Sequence, residues 1–255
     1  MNDTLMVIGE ALIDFIPTEQ GMALKDVCSF TKHCGGAPIN IAAATAKLGA
    51  HSKVLTQVGA DAFGDFILET LSLCQVDITA VKRTKQYPTA LAFVALDEKG
   101  NRDFTFYRDP CADLHLSAED ITATMFQDCG ILHFCSVDLV DSPMKQAHLK
   151  AIQLAKEQGA IISFDPNVRL PLWSSKEDCK NTILEFAPYA DILKISDAEL
   201  FFLTGQKDCE QVFTVFPDAT IILLTCGEQG SYLMTKEHRL YEKPIPVKAI
   251  DTTGA

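Results

Sequence analysis

The chain of 255 residues has no long apolar run. Ile221-Ile222-Leu223-Leu224 is among its longest, far short of a bilayer span. Met1-Asn2-Asp3 leads almost directly into Leu5-Met6-Val7-Ile8, which is not a secretory leader pattern, so a cytoplasmic protein with no membrane partner is expected. Basic residues are scarce: 22 Lys and Arg stand against 34 Asp and Glu, a net charge of −12. That balance excludes a broad nucleic-acid surface, which needs a basic face. Any anionic ligand must be held by local donors against an unfavourable overall field. The nine cysteines are scattered and form no C-x-x-C pair, as expected of reduced thiols. The six histidines form no H-E-x-x-H pair, which argues against a zinc site. Neither G-x-G-x-x-G nor G-x-x-x-x-G-K-[ST] occurs, so the dinucleotide and P-loop readings lose their support.

What is present is an ordinary globular composition, 47% hydrophobic and 22% charged, long enough for one sizeable core. The second half alternates strand and helix patterns. Ile131–Cys135 reads as a buried strand, and Ser142-Pro143 as a helix start with Ser as N-cap. Met144, Ala147, Ala151 and Leu154 fall on one helical face, and Gly159 ends it. A strand over Ile161–Phe164, a helix over Glu177–Phe186 and a strand over Ile192–Ile195 follow. A helix over Asp197–Leu203, another near Cys209–Phe216 and a strand over Thr220–Leu224 complete the series. This alternation predicts parallel βαβ units with helices on both faces of a sheet. Ala11–Pro17, Thr89–Leu96 and Phe104–Arg108 are β-rich and break the rhythm, as a small β appendage would; Asp97–Asn101 is its hairpin turn. Ser231–Leu240 reads as a hairpin of the main sheet.

Several short motifs follow strands, each with a plain structural reading beside a functional one. Cys34-Gly35-Gly36-Ala37-Pro38-Ile39-Asn40 opens an Ala-rich helix ending near Leu48-Gly49. It is either a glycine turn before a tightly packed helix or a place where a ligand nears the backbone, with Asn40 bonding its hydroxyls. Asp14, just past the first strand, is a turn residue or a ligand carboxylate at a strand's carboxyl end. Asp165-Pro166-Asn167-Val168-Arg169 offers a local ion pair or a phosphate site. In Lys194-Ile195-Ser196-Asp197-Ala198-Glu199, Ser196 and Glu199 form a capping box, or Glu199 organises Mg²⁺ through water. Lys194 meets phosphate only if it faces the crevice. Thr225-Cys226-Gly227-Glu228-Gln229-Gly230 is a bare turn or a flat bed for a nucleotide. Asp251-Thr252-Thr253-Gly254-Ala255 reads as a turn opening a helix, where unpaired N–H groups favour an anion, or as a frayed tail.

Taken in order, these motifs resemble the ribokinase-like sugar kinases, the PfkB family. The resemblance rests on G-G-A-P-I-N-I-A, on V-G-x-D-x-F-G at Val58–Gly64, on D-P-N-V-R and on the final D-T-T-G-A. G-E-x-L-I-D-F-I-P, the F-x-F-Y-R-x-x-x-A-D of Phe104–Asp113 and Leu172-Trp173 place it nearest the fructokinase branch. It implies a three-layer α/β fold with a mostly parallel central sheet, in a single domain spanning residues 1–255. A β lid is expected near residues 11–32 and 88–110. It implies ATP-dependent phosphorylation of a sugar hydroxyl, fructose giving fructose 6-phosphate. Asp14, Gly35, Gly36 and Asn40 would hold the sugar, with Arg108 reaching in from the lid and Phe106 or Phe93 as an apolar wall. Asp165, Asn167, Arg169 and Glu199 would surround Mg²⁺ and the phosphates. Lys194, Ser196, Thr225, Gly227 and Gly230 would line the nucleotide. Asp251 and Thr253 would lie near K⁺, and Gly254 and Ala255 would begin an anion hole. Arg169, Gly254 and Ala255 would then act on the transferring phosphoryl group. Many relatives also dimerise through the lid.

Two departures bear on the reading. Ser196 stands where many members have Asn. The family pattern continues Gly-Asp after D-T-T-G-A, and that Asp is the catalytic base. The natural gene is therefore expected to be longer, and a polypeptide of these 255 residues alone is expected to be inactive. Two alternatives stand beside the fructokinase reading: a kinase for 2-keto-3-deoxygluconate, ribose or a nucleoside, and a non-catalytic sugar-binding relative.

Overall fold

The computed structural model describes residues 3–19, 21–96, 102–205 and 212–246. Its elements are β1 (Thr4–Ile8), β2 (Leu12–Pro17), β3 (Phe30–Gly35), α1 (Ala37–Lys47), β4 (Ser52–Gly59), α2 (Ala62–Leu73), β5 (Val81–Thr84), β6 (Ala90–Leu96), β7 (Arg102–Tyr107), β8 (Cys129–Cys135), α3 (Pro143–Glu157), β9 (Ile161–Asp165), α4 (Lys176–Phe186), β10 (Ile192–Ser196), α5 (Asp197–Thr204), α6 (Val212–Val215), β11 (Ile221–Thr225), β12 (Ser231–Met234) and β13 (Arg239–Glu242). Two sheets form. The larger has the order β13-β12-β11-β10-β9-β8-β1-β4-β5. Every neighbouring pair from β11 to β5 is parallel, and only β12 and β13 run antiparallel at one edge. The smaller has the order β3-β2-β6-β7.

Alternation within β1 decides the layers. Met6 and Ile8 join a core with Phe134, Phe164 and Leu193, and α3, α4 and α5 close it through Ala151, Phe186 and Leu200. Val7 points the other way, into a core that α1 and α2 close through Ile39, Ala42 and Ile67. A sheet apolar on both faces must be covered on both, which yields three layers. Phe134 and Phe164 stack at 4.6 Å and 16°, contributing about 1 kcal/mol beyond their buried area.

The predicted face of α3 is the buried one, and Gly159 follows it at φ 74°. Ser142 does precede that helix, yet its hydroxyl donates to Val140 O at 3.1 Å instead of accepting from the first turn. The second sheet corresponds to the expected β appendage but is larger. Its β3 runs to Gly35, past residue 32, and pairs antiparallel with β2. The V-G-x-D-x-F-G motif fastens this sheet to the frame. Asp61 accepts from Phe63 N and Gly64 N at the start of α2, and from Thr89 N and Thr89 Oγ1 just before β6. Burial opposes ionisation of Asp61, but these donors outweigh it and hold its pKa below the usual range.

Candidate active site

Parallel strands deliver their following loops to one edge of the sheet, where ligands of α/β proteins gather. The residues after β1, β8, β9, β10 and β11 are in that position here.

At the β1 end, Asp14 and Gly35 lie on neighbouring strands of the small sheet. The Asp14 carboxylate is folded so closely over Gly35 that a Cβ there would overlap Oδ2 and stand 2.6 Å from Cγ. Gly36 turns the chain into α1 at φ 118°, a region open to glycine, and Asn40 N donates to Gly36 O at 3.0 Å. The structure thus brings Asp14, Gly35, Gly36 and Asn40 to one corner. Register separates the two aromatic candidates. Asp14 pairs with Ala92, and Ala92 with Phe106, so Phe106 shares the Asp14 face. Phe93 lies on the opposite face, stacked on Phe15 at 4.8 Å, and Phe15 meets Phe63 of α2. Arg108 is 5% exposed and forms ion pairs with Asp113 (2.7 Å) and Asp138. With Phe106 it lines a cavity of about 410 Å³ that Leu114, Val140 and Leu172 also border.

At the β9 and β10 ends the acidic residues serve the backbone. Asp165 accepts from Asn167 N at 3.1 Å and pairs with Lys194 Nζ at 3.1 Å. The expected local ion pair therefore joins Asp165 to Lys194, not to Arg169, whose guanidinium donates to Val168 O at 3.1 Å. Burial raises the Asp165 pKa, Glu199 adds to the rise, and Lys194 opposes it. Glu199 Oε2 accepts from Ser196 N and Ser196 Oγ, completing the capping box, while Glu199 Oε1 accepts from Val168 N at 2.9 Å. One carboxylate thus starts α5 and pins the D-P-N-V-R loop. Asn167 sits in that loop at φ 42°. Among the described residues no cluster of three His, Cys, Asp or Glu side chains has metal-binding geometry.

At the β10 and β11 ends, Ser196, Thr225, Gly227 and Gly230 line an open groove of about 490 Å³ together with Glu242 and Lys243. Lys194 is not among its walls. Asp251, Thr253, Gly254 and Ala255 lie outside the described residues, as do residues 209–211 of the helix expected near Cys209–Phe216 and the expected Asp97–Asn101 turn.

The chain matches the family model described as pfkB family carbohydrate kinase over residues 2–255. It belongs to the pfkB family of carbohydrate kinases. Among its pfkB relatives is the probable fructokinase-2 of Arabidopsis thaliana, 40% identical over 250 residues, covering 97% of this chain and 76% of the relative. Among solved structures, the fructokinase of Xylella fastidiosa with bound ATP superposes with a TM-score of 0.88 at 32% identity, covering 98% of this chain and 77% of that one. A fructokinase double mutant of Vibrio cholerae O395, in a fructose, ADP and potassium ion bound form, gives 0.86 at 33% identity, covering 98% and 79%. No described helix is long and apolar enough to cross a membrane.

Reading the pfkB motifs from sequence left out Asp138 entirely. Its signal was a lone charge inside the apolar Val137–Val140, a place that calls for a partner when buried. Glu10 and Asp113 stood inside the quoted motifs without a role of their own. Both are buried, Glu10 against Gly36 and Asp113 against Arg108.

Proposed function

We propose that this chain is an ATP-dependent sugar kinase that phosphorylates fructose to fructose 6-phosphate. The observation that carries the reading is the common edge of one parallel sheet. The Asp14–Gly35 corner lies there beyond β1, and the Ser196–Gly230 groove beyond β10 and β11. Similarity to fructokinases, including an ATP-bound one, supports sugar and nucleotide as the two occupants.

Phosphoryl transfer depends on positioning and charge stabilisation. Asp14 and Asn40 bind sugar hydroxyls, the bare backbone of Gly35 and Gly36 lets the ring approach, and Phe106 forms the apolar wall; the register of Phe93 removes it from that role. Arg108 closes the cavity from the small sheet, which acts as a lid that excludes water. Ser196, Thr225, Gly227 and Gly230 bed the nucleotide, with Lys194 beside Asp165 at its phosphate end. Arg169 meets the transferring group with the backbone N–H groups of Gly254 and Ala255. Because the oxygens of Asp165 and Glu199 already accept protein hydrogen bonds, these residues and Asn167 fit a magnesium ion that keeps its own waters. Bound there, magnesium neutralises phosphate charge. Asp251 and Thr253 would hold K⁺. The protein acts in the cytoplasm as a homodimer joined through its small sheet, which sedimentation of the purified protein tests.

The test is ADP release with fructose, ribose, 2-keto-3-deoxygluconate and a nucleoside in parallel. It is run on the purified protein, with ATP as the phosphoryl donor. Fructose turnover is expected and excludes a non-catalytic binding protein. A higher kcat/KM for another acceptor, or no turnover with any of them, overturns the assignment.

A further inference from the structure

Four charged side chains from four separate segments meet beneath the small sheet, and the kinase chemistry uses only one of them. Glu10 follows β1, Arg108 follows β7, Asp113 lies in the next short turn, and Asp138 follows β8; all four are buried. Arg108 pairs with Asp113 and Asp138. Glu10 Oε1 accepts from Ala37 N, the first residue of α1, at 2.7 Å. Three buried carboxylates thus stand against one guanidinium, two of them paired with it and Glu10 feeling its charge, a surplus of negative charge that burial penalises.

The hydrogen-bond pattern shows where that surplus lies. Among the described residues, Glu10 Oε2, Asp138 Oδ2 and Arg108 Nε are buried with no hydrogen-bond partner. Glu10 and Asp138 also feel each other's charge. Two bare carboxylate oxygens against the one bare donor, Arg108 Nε, leave an acceptor short of a donor. A proton on either carboxyl supplies the donor.

We propose that Glu10 and Asp138 hold one proton between them near neutral pH, and that this proton makes them positioning residues of the sugar site, joining the start of α1 to the Arg108 end of the small sheet. The inference rests on the sugar-kinase reading for its functional part. Glu10 is well placed for such a role. Its backbone carbonyl lies against Gly36, its side chain holds Ala37 N, and Asn40 is one turn further along the same helix.

Burial, then the charge of Asp138, raises the Glu10 carboxyl to about 8, with Arg108 and the Ala37 N–H opposing. Burial raises Asp138 to about 7, Asp113 adds to this, and Arg108 opposes it. Besides Arg108 and Asp113, two thiols among the described residues interact with this cluster. Cys111 donates to Asp113 Oδ1 at 2.7 Å, and Cys135 senses Glu10, Asp165 and Lys194. Burial raises both thiols, so they stay neutral while the carboxyl pair changes charge. Loss of the shared proton sets two carboxylates against each other and pushes α1 away from Arg108. Sugar affinity then falls, while the nucleotide groove beyond β10 and β11 is unaffected.

The test is calorimetric titration with fructose, and separately with ATP, between roughly pH 6 and pH 9. Fructose Kd should rise by about tenfold per pH unit above the titration of the pair, with ATP Kd flat. Glu10→Gln carries a permanent N–H donor and should give a flat fructose profile, whereas Glu10→Ala should bind weakly at every pH. Infrared spectra should show a buried protonated carboxyl at neutral pH that disappears in both Glu10→Gln and Asp138→Asn. A parent without that band, or a Glu10→Gln profile with the parent's alkaline loss, overturns the proposal. If fructose binds at no pH, the sugar-kinase reading fails, and the infrared band alone then decides whether the shared proton exists.

Discussion

Adding one methyl group to each of two adjacent glycines should separate binding from folding. At Gly35 an added Cβ meets the far end of a side chain, the carboxylate of Asp14. That carboxylate can swing away, so Gly35→Ala should fold with a stability loss of about 1 kcal/mol or less. What it loses is the placement of Asp14. A hydrogen bond to a charged group contributes about 1.5–3 kcal/mol, so fructose should bind about 10- to 150-fold more weakly with ATP affinity unchanged. At Gly36 the added Cβ overlaps the backbone oxygen of Glu10 and stands 3.1 Å from its carbonyl carbon, at a φ of 118°. Neither the carbonyl nor the dihedral can yield cheaply. Gly36→Ala should therefore destabilise the fold by about 2–4 kcal/mol, through strain and overpacking together. Calorimetry with fructose and urea unfolding of both variants give the comparison. The reasoning is refuted if Gly35→Ala keeps the parent's fructose affinity, or if Gly36→Ala unfolds at the parent's midpoint.

His148 is buried with its Nδ1 2.9 Å from Met144 O, and burial lowers its pKa from 6.5 to about 4. Its stabilising effect is full above pH 6.5 and is lost as pH falls through 4. His148→Gln should therefore remove roughly 3 kcal/mol of the acid sensitivity seen in urea midpoints across that range. Arg108→Met leaves Asp113 and Asp138 buried without their cation and should cost about 3–5 kcal/mol in denaturant unfolding; a loss below about 1 kcal/mol contradicts the burial argument. Glu199→Ala removes the α5 capping box and the grip on Val168 N, so unfolding should show a loss of about 1–2 kcal/mol. Amide exchange of Val168 should accelerate in the same variant, and unchanged protection would argue against the pinning role.

The second half of the fold was legible because its strands are short apolar runs and its helices repeat apolar residues every three or four positions. Met144, Ala147, Ala151 and Leu154 lie in the core as that spacing implies. β3 was not legible: Phe30-Thr31-Lys32-His33 is a largely solvated strand in a small sheet, and its pattern carries no apolar period. The choice between Phe93 and Phe106 was closed to sequence for a different reason. The two residues differ by sheet face, and only the pairing of β6 with β2 and β7 fixes which face Asp14 shares. The local ion pair that stood beside the phosphate reading of Asp165–Arg169 is replaced by one to the neighbouring strand, at Lys194, which no local window contains.

The β2–β3 hairpin leaves the frame and returns to it through Gly9 at φ 149° and Gly36 at φ 118°. Its two legs thus turn on paired pivots, much like a door on two pins. Whatever swings this panel also tilts Asp14 and Gly35, because both are built into it. On the proposed reading, gripping the carbohydrate and shutting the chamber are one movement, and stiffening the Gly9 pin should slow product escape even where every contacting group is left intact.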